Sequence, residues 1–279
     1  MEEAQKSSSE LRAERFESLR AQWQSMSDKI SLSYPRSQIR AMGRNLRELP
    51  DKVAEFRCRG YVYKGEWEST AEELLEKWPD REREAERVLR NRVRDFDDLV
   101  EDIERLCDRR RLSENDLDLL EHKLDRLQSE ISGAERDVRG VYAPLEKHYD
   151  EMLSAFRDVD DALDYLEDAV FQVYADEHIV DACEAVWVSD REEPEGIFFL
   201  TNSRIIFEQR EKKAKKKVLF VTTKSELVQE KLWEGPVGAI SEIEIEDKGG
   251  FIGIGSKEIL TLHFSERTRE LPGSATLQI

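Results

Sequence analysis

This 279-residue chain is poor in the residues that would simplify its reading. It has only three cysteines, Cys58, Cys107 and Cys183, widely separated. An odd, scattered set excludes a disulfide framework and lacks metal-ligand spacing, so reduced thiols are expected. No apolar run approaches the ~18 residues of a membrane span. The opening "MEEAQKSSSELRAERF" contains no apolar signal core. These features read as a cytoplasmic protein, at most peripheral at a membrane. Cations are in deficit: 44 Lys and Arg face 62 acidic residues, a formal net charge of −18. That balance excludes a general nucleic-acid binder, which needs a basic face.

Catalytic and cofactor signatures are missing as well. His122, His148, His178 and His263 are scattered without H-E-x-x-H or Cys/His spacing. Carboxylates are so frequent that no pair stands out, and a catalytic pair needs a cleft that drives its two pKa values apart. "GGFIGIGS" has Gly250, Gly253 and Gly255 at the wrong spacing for a dinucleotide loop, and no Gly-Lys-Ser/Thr follows. It reads as a wide hairpin or bulge. No enzyme, no metal and no cofactor is expected.

What is abundant is charge on a helical period. Charged residues make up 38% and apolar residues 39% of the chain, the balance of long solvent-bathed helices. Leu117, Leu120, Leu124, Leu127, Ile131, Ala134, Val138, Val141 and Leu145 alternate steps of three and four. After one extra-long step come Tyr149, Met152, Phe156, Val159, Leu163, Leu166, Val170 and Val173. This is a coiled-coil seam with a stutter at Leu145–Tyr149. It predicts one helix from about Glu114 to Ala175.

A matching seam precedes it: Ala85, Leu89, Phe96, Val100, Ile103 and Cys107, flanked by Val88, Val93, Leu99 and Leu106. Between the two, Ser113 is placed to cap a helix, with Asp116 three residues on. Residues 80–110 and 114–175 are therefore expected to form an antiparallel coiled-coil hairpin with its tip at 110–114, near Leu112. Pro79 and Pro144 are almost equidistant from that tip, so the two helices are expected to bend at one level. Upstream, Ser7-x-x-Glu10 reads as a capping box for a helix bearing Phe16, Leu19, Trp23, Met26 and Ile30. After "LSYPRS", Ile39, Met42, Leu46, Leu49, Val53 and Phe56 resume the pattern, and Trp67, Leu74, Leu75 and Trp78 carry it to Pro79. A three-helix base and a two-helix distal stalk are expected.

From residue 177 the period changes to that of strands. "EAVWVSD", "EGIFFLT", "SRIIFEQ", "KVLFVTT", "GAISEIEIE", "KEILTLHF" and "SATLQI" are spaced about ten residues apart, as in an all-β barrel or sandwich. The fold class is thus multidomain, α plus all-β, divided into 1–176 and 177–279.

Within the second part, "GIFFLTNSRIIFEQREKKAKKKVLFVTT" and "LVQEKLWEGPVGAISEIEIEDKGGF" resemble the bacterial pleckstrin-homology-like and GRAM family. Gly196, Leu200, Thr201, Asn202, Arg204, Pro236 and Ile240 carry the likeness. It implies a small β-barrel that docks to protein or lipid. The family usually closes with a C-terminal helix, and this chain stops at "SATLQI", so another segment or chain is expected to cover that end.

"QREKKAKKKV" is the strongly basic stretch. Arg210, Lys212, Lys213, Lys215, Lys216 and Lys217 give a local charge of +5 after Glu211, within a part of net −5. It reads as the connection of a β-hairpin. An edge-protecting solubilising turn, an acidic protein surface and an anionic lipid headgroup are the open alternatives. The function expected is a non-enzymatic scaffold or adaptor, whose coiled coil drives assembly as a homo-oligomer or within a larger complex. The alternative is a membrane-remodelling or filament-forming protein, since long helical hairpins resemble the ESCRT-III and phage-shock group. Residues 1–176 hold 43 acids and 30 bases, which opposes the basic membrane face that group needs.

Overall fold

The computed structural model describes all residues but 1–7, 110, 190–192, 219–220, 249–256 and 266–270, with the backbone alone at 213–218, 221–226, 247–248 and 257. Helices precede an open antiparallel sheet, an α plus β arrangement. The helices are α1 (Ser8–Ile30), α2 (Ser33–Cys58), α3 (Trp67–Asp95), α4 (Asp97–Cys107) and α5 (Glu114–Glu167). Two compact units result: Met1–Pro50 with Trp67–Glu151, and Asp51–Glu66 with Met152–Ile279. The expected boundary at 176/177 falls inside the second unit, and the helices α2 and α5 each contribute to both.

In the first unit the seam residues Leu117, Leu120, Leu124, Leu127, Ile131 and Val138 are all buried. Contacts between α3–α4 and α5 run in opposite chain directions: Arg109 with Asp116, Lys123 with Asp102 at 2.7 Å, Arg92 with Asp137, and Trp78 with Tyr142. Ser113 closes the turn before α5 as expected. Its hydroxyl accepts the Asp116 N–H at 3.2 Å, while its own N–H donates to the Asp116 carboxylate at 2.9 Å. The Ser7 box lies outside the described residues.

Four expectations change in detail. The stutter falls at Ala134–Val138–Tyr142, because Tyr142 rather than Val141 is buried, its ring edge-on to Trp78 with centroids 5.9 Å apart. Tyr142, which the seam passed over, is here a core aromatic. α3 and α4 are separated at the buried Phe96, and the restarted helix turns Leu99 and Leu106 inward in place of Val100 and Cys107. The distal part has a third helix, since Arg15 of α1 binds Glu114, Asp118 and Glu121 of α5. The helix expected to reach Ala175 stops at Glu167, which leaves Val170 and Val173 largely exposed and Leu166 half-buried. Pro50, Pro79 and Pro144 all lie inside continuous helices.

In the second unit α2 ends where Gly60 adopts φ +90°. Tyr61 N–H then reaches the Phe56 carbonyl at 2.9 Å and Gly60 N–H the Arg57 carbonyl at 3.1 Å. That double bond closes a helix only when the residue after the cap is left-handed, which glycine adopts without a Cβ penalty. Arg59 beside it holds the last turns of α5 through Asp160, Asp164 and Glu167. Phe56 packs edge-on against the buried Phe156, 5.2 Å between centroids, and Leu163 is buried one turn pair on.

The strands are β1 (Ile179–Val188), β2 (Glu195–Thr201), β3 (Arg204–Val218), β4 (Val221–Pro236), β5 (Ile240–Lys248), β6 (Lys257–Phe264) and β7 (Ser274–Gln278). Their order is β4-β3-β2-β1-β7-β6-β5, and no ladder joins β4 to β5 among the described residues, so the strands expected as a small β-barrel form an open sheet. The sheet is nevertheless curled. Six inter-strand steps in a flat sheet would set its edges about 29 Å apart, yet only the single helical turn Val237–Ala239 links β4 to β5, a reach of about 15 Å. Inside the curl, Phe207 stacks on Trp233 at 5.8 Å, ringed by Phe198, Trp187, Phe264 and Leu277. The opposite side chains, Phe199 and Ile206, are also fully buried. Phe171, just past α5, meets Phe199 edge-on at 4.9 Å, so a segment within the chain covers that face.

Leu127 is fully buried on α5. Leu127→Asp places an unpaired charge there and is expected to cost several kcal/mol. Thermal denaturation followed by circular dichroism should show the helical signal melting earlier. An unchanged curve would contradict the buried seam.

Candidate functional site: a basic ribbon rooted in a buried ionic clasp

The stretch 210–217 is strand, not connection. β3 runs unbroken from Arg204 to Val218, and its partner β4 begins at Val221. Polarity alone suggested a loop, but the complementary strand follows the basic run and carries "LVQEKLW". "KVLFVTT", expected as one strand, is divided between the end of β3 and the start of β4, with Val218 opposite Val221. β2 pairs with β3 only as far as Gln209. Beyond it, among the described residues, β3 and β4 ladder with each other alone, a two-stranded ribbon over 210–218 and 221–229. Seven cations and two carboxylates lie on it.

The six predicted cations do not share one role. Lys212 is exposed. Lys213, Lys215, Lys216 and Lys217 sit on the ribbon backbone, where Lys216 is opposite Lys224 and Lys213 opposite Glu226. Arg210 is half-buried and committed inward: it donates to Glu208 at 3.0 Å and to the Tyr165 carbonyl at 3.2 Å. It is a root of the ribbon rather than part of its free surface.

Glu208 and Arg204 are the residues that charge counting missed. Glu208 has no exposed surface, and it accepts from Val170 N–H at 2.8 Å, Gln229 at 2.8 Å and Arg210. The first ties the post-helix segment to β3 and the second ties β4 to it, while Arg210 lies on β3 itself. One strand register earlier, Arg204 makes a bidentate pair with Glu177, at 2.8 and 2.9 Å. It also binds Glu234 and the Gln172 carbonyl, and its guanidinium lies over the Tyr174 ring at 4.4 Å. The Leu-Thr-Asn-x-Arg run explains itself here. Thr201 donates to Glu177 at 2.7 Å and accepts the Arg204 N–H at 2.9 Å, while Asn202 bridges His178 N–H and the Asp176 carbonyl. Gly196 is required for a different reason: a Cβ there would lie 2.1 Å from the Glu208 carbonyl oxygen. The signal available in sequence was Arg204 and Glu208 bracketing the apolar run Ile205–Phe207.

Burial by itself would raise the Glu177 carboxyl, but the bonds from Arg204, Tyr174 N–H and Thr201 outweigh it and hold it at about 2. Burial pushes the Cys183 thiol up to about 11, so it is a poor nucleophile near neutrality. Among the described residues, Glu242, Glu244 and His263 bring metal-type donors within 4.8 Å of one another. Both glutamates are exposed on an edge strand, and we assign no metal to them.

No family model matches the chain, and no curated protein matches it. Among solved structures, the N-terminally truncated linker-DH/PH domains of p115-RhoGEF align over 92% of this chain and 92% of that one, at 13% identity and a TM-score of 0.23. A mutant form of the DH/PH domains of p115-RhoGEF aligns over 94% and 93%, at 14% identity and a TM-score of 0.22. Superpositions that loose carry neither a fold nor an activity across.

The folded carboxyl of Glu177 lies below its ordinary 4.5. Its contribution is therefore complete above pH 4.5 and lost as pH falls toward 2, a difference worth about 3 kcal/mol. Glu177→Gln should lower stability by a similar amount at neutral pH and flatten the acid limb of the stability curve. Denaturant titrations at several pH values measure both. Equal acid sensitivity in the variant and the wild type would sink the assignment.

Proposed function

We propose that this protein is a non-enzymatic scaffold or adaptor. In this reading the helical unit, arranged as a coiled-coil hairpin, provides assembly, and the curled sheet presents the ribbon at 210–229 as an electrostatic docking element for an anionic surface. The observation that supports it is the departure of β3 and β4 from the sheet after Gln209 with a cationic excess on the free part. Two strands without further neighbours are marginal in water, and like charges opposite one another weaken them more. A ribbon so composed gains most when an anion meets it. The buried carboxylates Glu177 and Glu208 are saturated by structural donors, which favours a binding role over an acid–base one. An acidic protein is favoured over a bilayer, because the part containing the ribbon is itself net negative and a membrane would repel its remainder.

Replacing Lys212, Lys213, Lys215, Lys216 and Lys217 by Ser in the full chain should remove salt-sensitive partners from a pull-down, with the melting temperature little changed. Anionic vesicles are tested in parallel. Capture by vesicles of the wild type alone would transfer the docking role to lipid. A variant that keeps every partner and every vesicle interaction reduces the ribbon to a solubilising element.

A further inference from the structure

Helix α5 imports the cations at its end. Its own last turn holds no basic residue, and Asp160, Asp164, Glu167 and Asp168 gather where the helix dipole is already negative. The last four carbonyls of a helix lack partners in the regular ladder. Here the Asp164 carbonyl accepts the Asp168 N–H at 3.3 Å, and the Leu166 carbonyl accepts the Ala169 N–H at 3.2 Å. Tyr165 is served from the sheet, its carbonyl accepting from Arg210 at 3.2 Å. Just past the helix, the Asp168 carbonyl accepts from Gln229 at 2.7 Å.

Arg210 and Gln229 are not independent of one another. They stand directly opposite across β3 and β4, on the first rung after the last pairing with β2. Each donates through a single nitrogen. Arg210 Nη2 serves the Tyr165 carbonyl and Glu208 Oε1, and Gln229 Nε2 serves the Asp168 carbonyl and that same Oε1. The other Glu208 oxygen takes the Val170 N–H at 2.8 Å. Displacing the rung therefore breaks these bonds together. Arg210 Nε is buried with no hydrogen-bond partner, so this side chain offers no second anchor through that nitrogen.

We propose that the ribbon is a detachable cap on α5: pairing between its two strands sets the order of residues 164–170. The rung is held in place by the ladder beyond it, and a two-stranded ladder of this kind is marginal without help. An anion seated on the ribbon then stiffens the end of α5. By linkage, a loosened α5 end weakens the hold on that anion. The bonds carry the coupling by themselves, and only the anion that orders the ribbon rests on the docking role given to it above.

Hydrogen exchange of the full chain, read by mass spectrometry, tests the coupling. Ala214→Pro, at a position opposite Ser225, breaks the ladder beyond the rung and leaves every side chain of the junction in place. It should speed exchange over 164–170 about tenfold, while β2 exchanges as in the wild type. Ser225→Pro makes the same break from β4 and guards against a fault peculiar to one variant. Poly-L-glutamate, the anionic probe, should slow exchange over both the ribbon and 164–170 of the wild type. Gln229→Met keeps the length of the side chain without its donor, so the probe should still protect the ribbon but pass much less protection to 164–170. Faster exchange in the ribbon of both proline variants with 164–170 unaltered overturns the inference. So does equal protection of 164–170 in Gln229→Met and the wild type. If the probe does not bind while the proline variants still free 164–170, the docking reading falls and the cap stands. If the probe binds and the proline variants leave 164–170 unaltered, the cap falls and the docking reading stands.

Discussion

The pairing of Arg204 with Glu177 is the interaction on which the second unit turns. Both side chains are nearly inaccessible, and a buried ion pair is tolerated only when its remaining donors and acceptors are also met. Here they are: Glu234, Gln172, Thr201, the Tyr174 N–H and two aromatic faces complete the shell. The pair therefore specifies geometry more than it adds net stability. It fixes where the chain leaving α5 crosses β3, and that crossing decides which face of the sheet is covered.

Glu208 extends the same logic toward the surface. Its carboxylate gathers a backbone N–H from the covering segment, an amide from β4 and the guanidinium of Arg210. The ribbon begins at this point, so its base is held by a buried carboxylate while its backbone runs on past the last pairing with β2. A cationic element on an acidic protein is then no contradiction. Glu211 and Glu226 on the ribbon offset only part of its charge, and the buried acids at its base are engaged in the clasp.

Much of the helical half was legible from periodicity. A stripe such as Leu117–Leu120–Leu124–Leu127 leaves one face to bury, whatever its neighbours are. The errors came where one residue broke the rule it was read by. Tyr142 buried a ring that a hydrophobicity count half-ignores, and Phe96 interrupted a helix that the heptad carried through. Strands were legible where apolar and polar residues alternate, as in Ile243–Glu244–Ile245. They were not legible across "REKKAKKK", because pairing there depends on residues 221–229, and the sequence shows no such register. The resemblance drew attention to Thr201, Asn202 and Arg204, but their partners at 172–177 come from another stretch. No spacing rule connects them.

The place of β7 between β1 and β6 has a consequence for synthesis. It is the latest of the seven strands in the chain, yet it pairs with Val186–Val188 on one side and Ile259–His263 on the other. As the polypeptide emerges, β1–β4 and β5–β6 can form as local meanders, each with an open edge. They become one sheet only when residues 274–278 arrive and close a loop of more than eighty residues back to β1. Loop closure of that length is slow relative to hairpin formation. The nascent chain thus passes through an interval with two unjoined half-sheets, and any factor that shields edges during that interval would act before the final strand is placed.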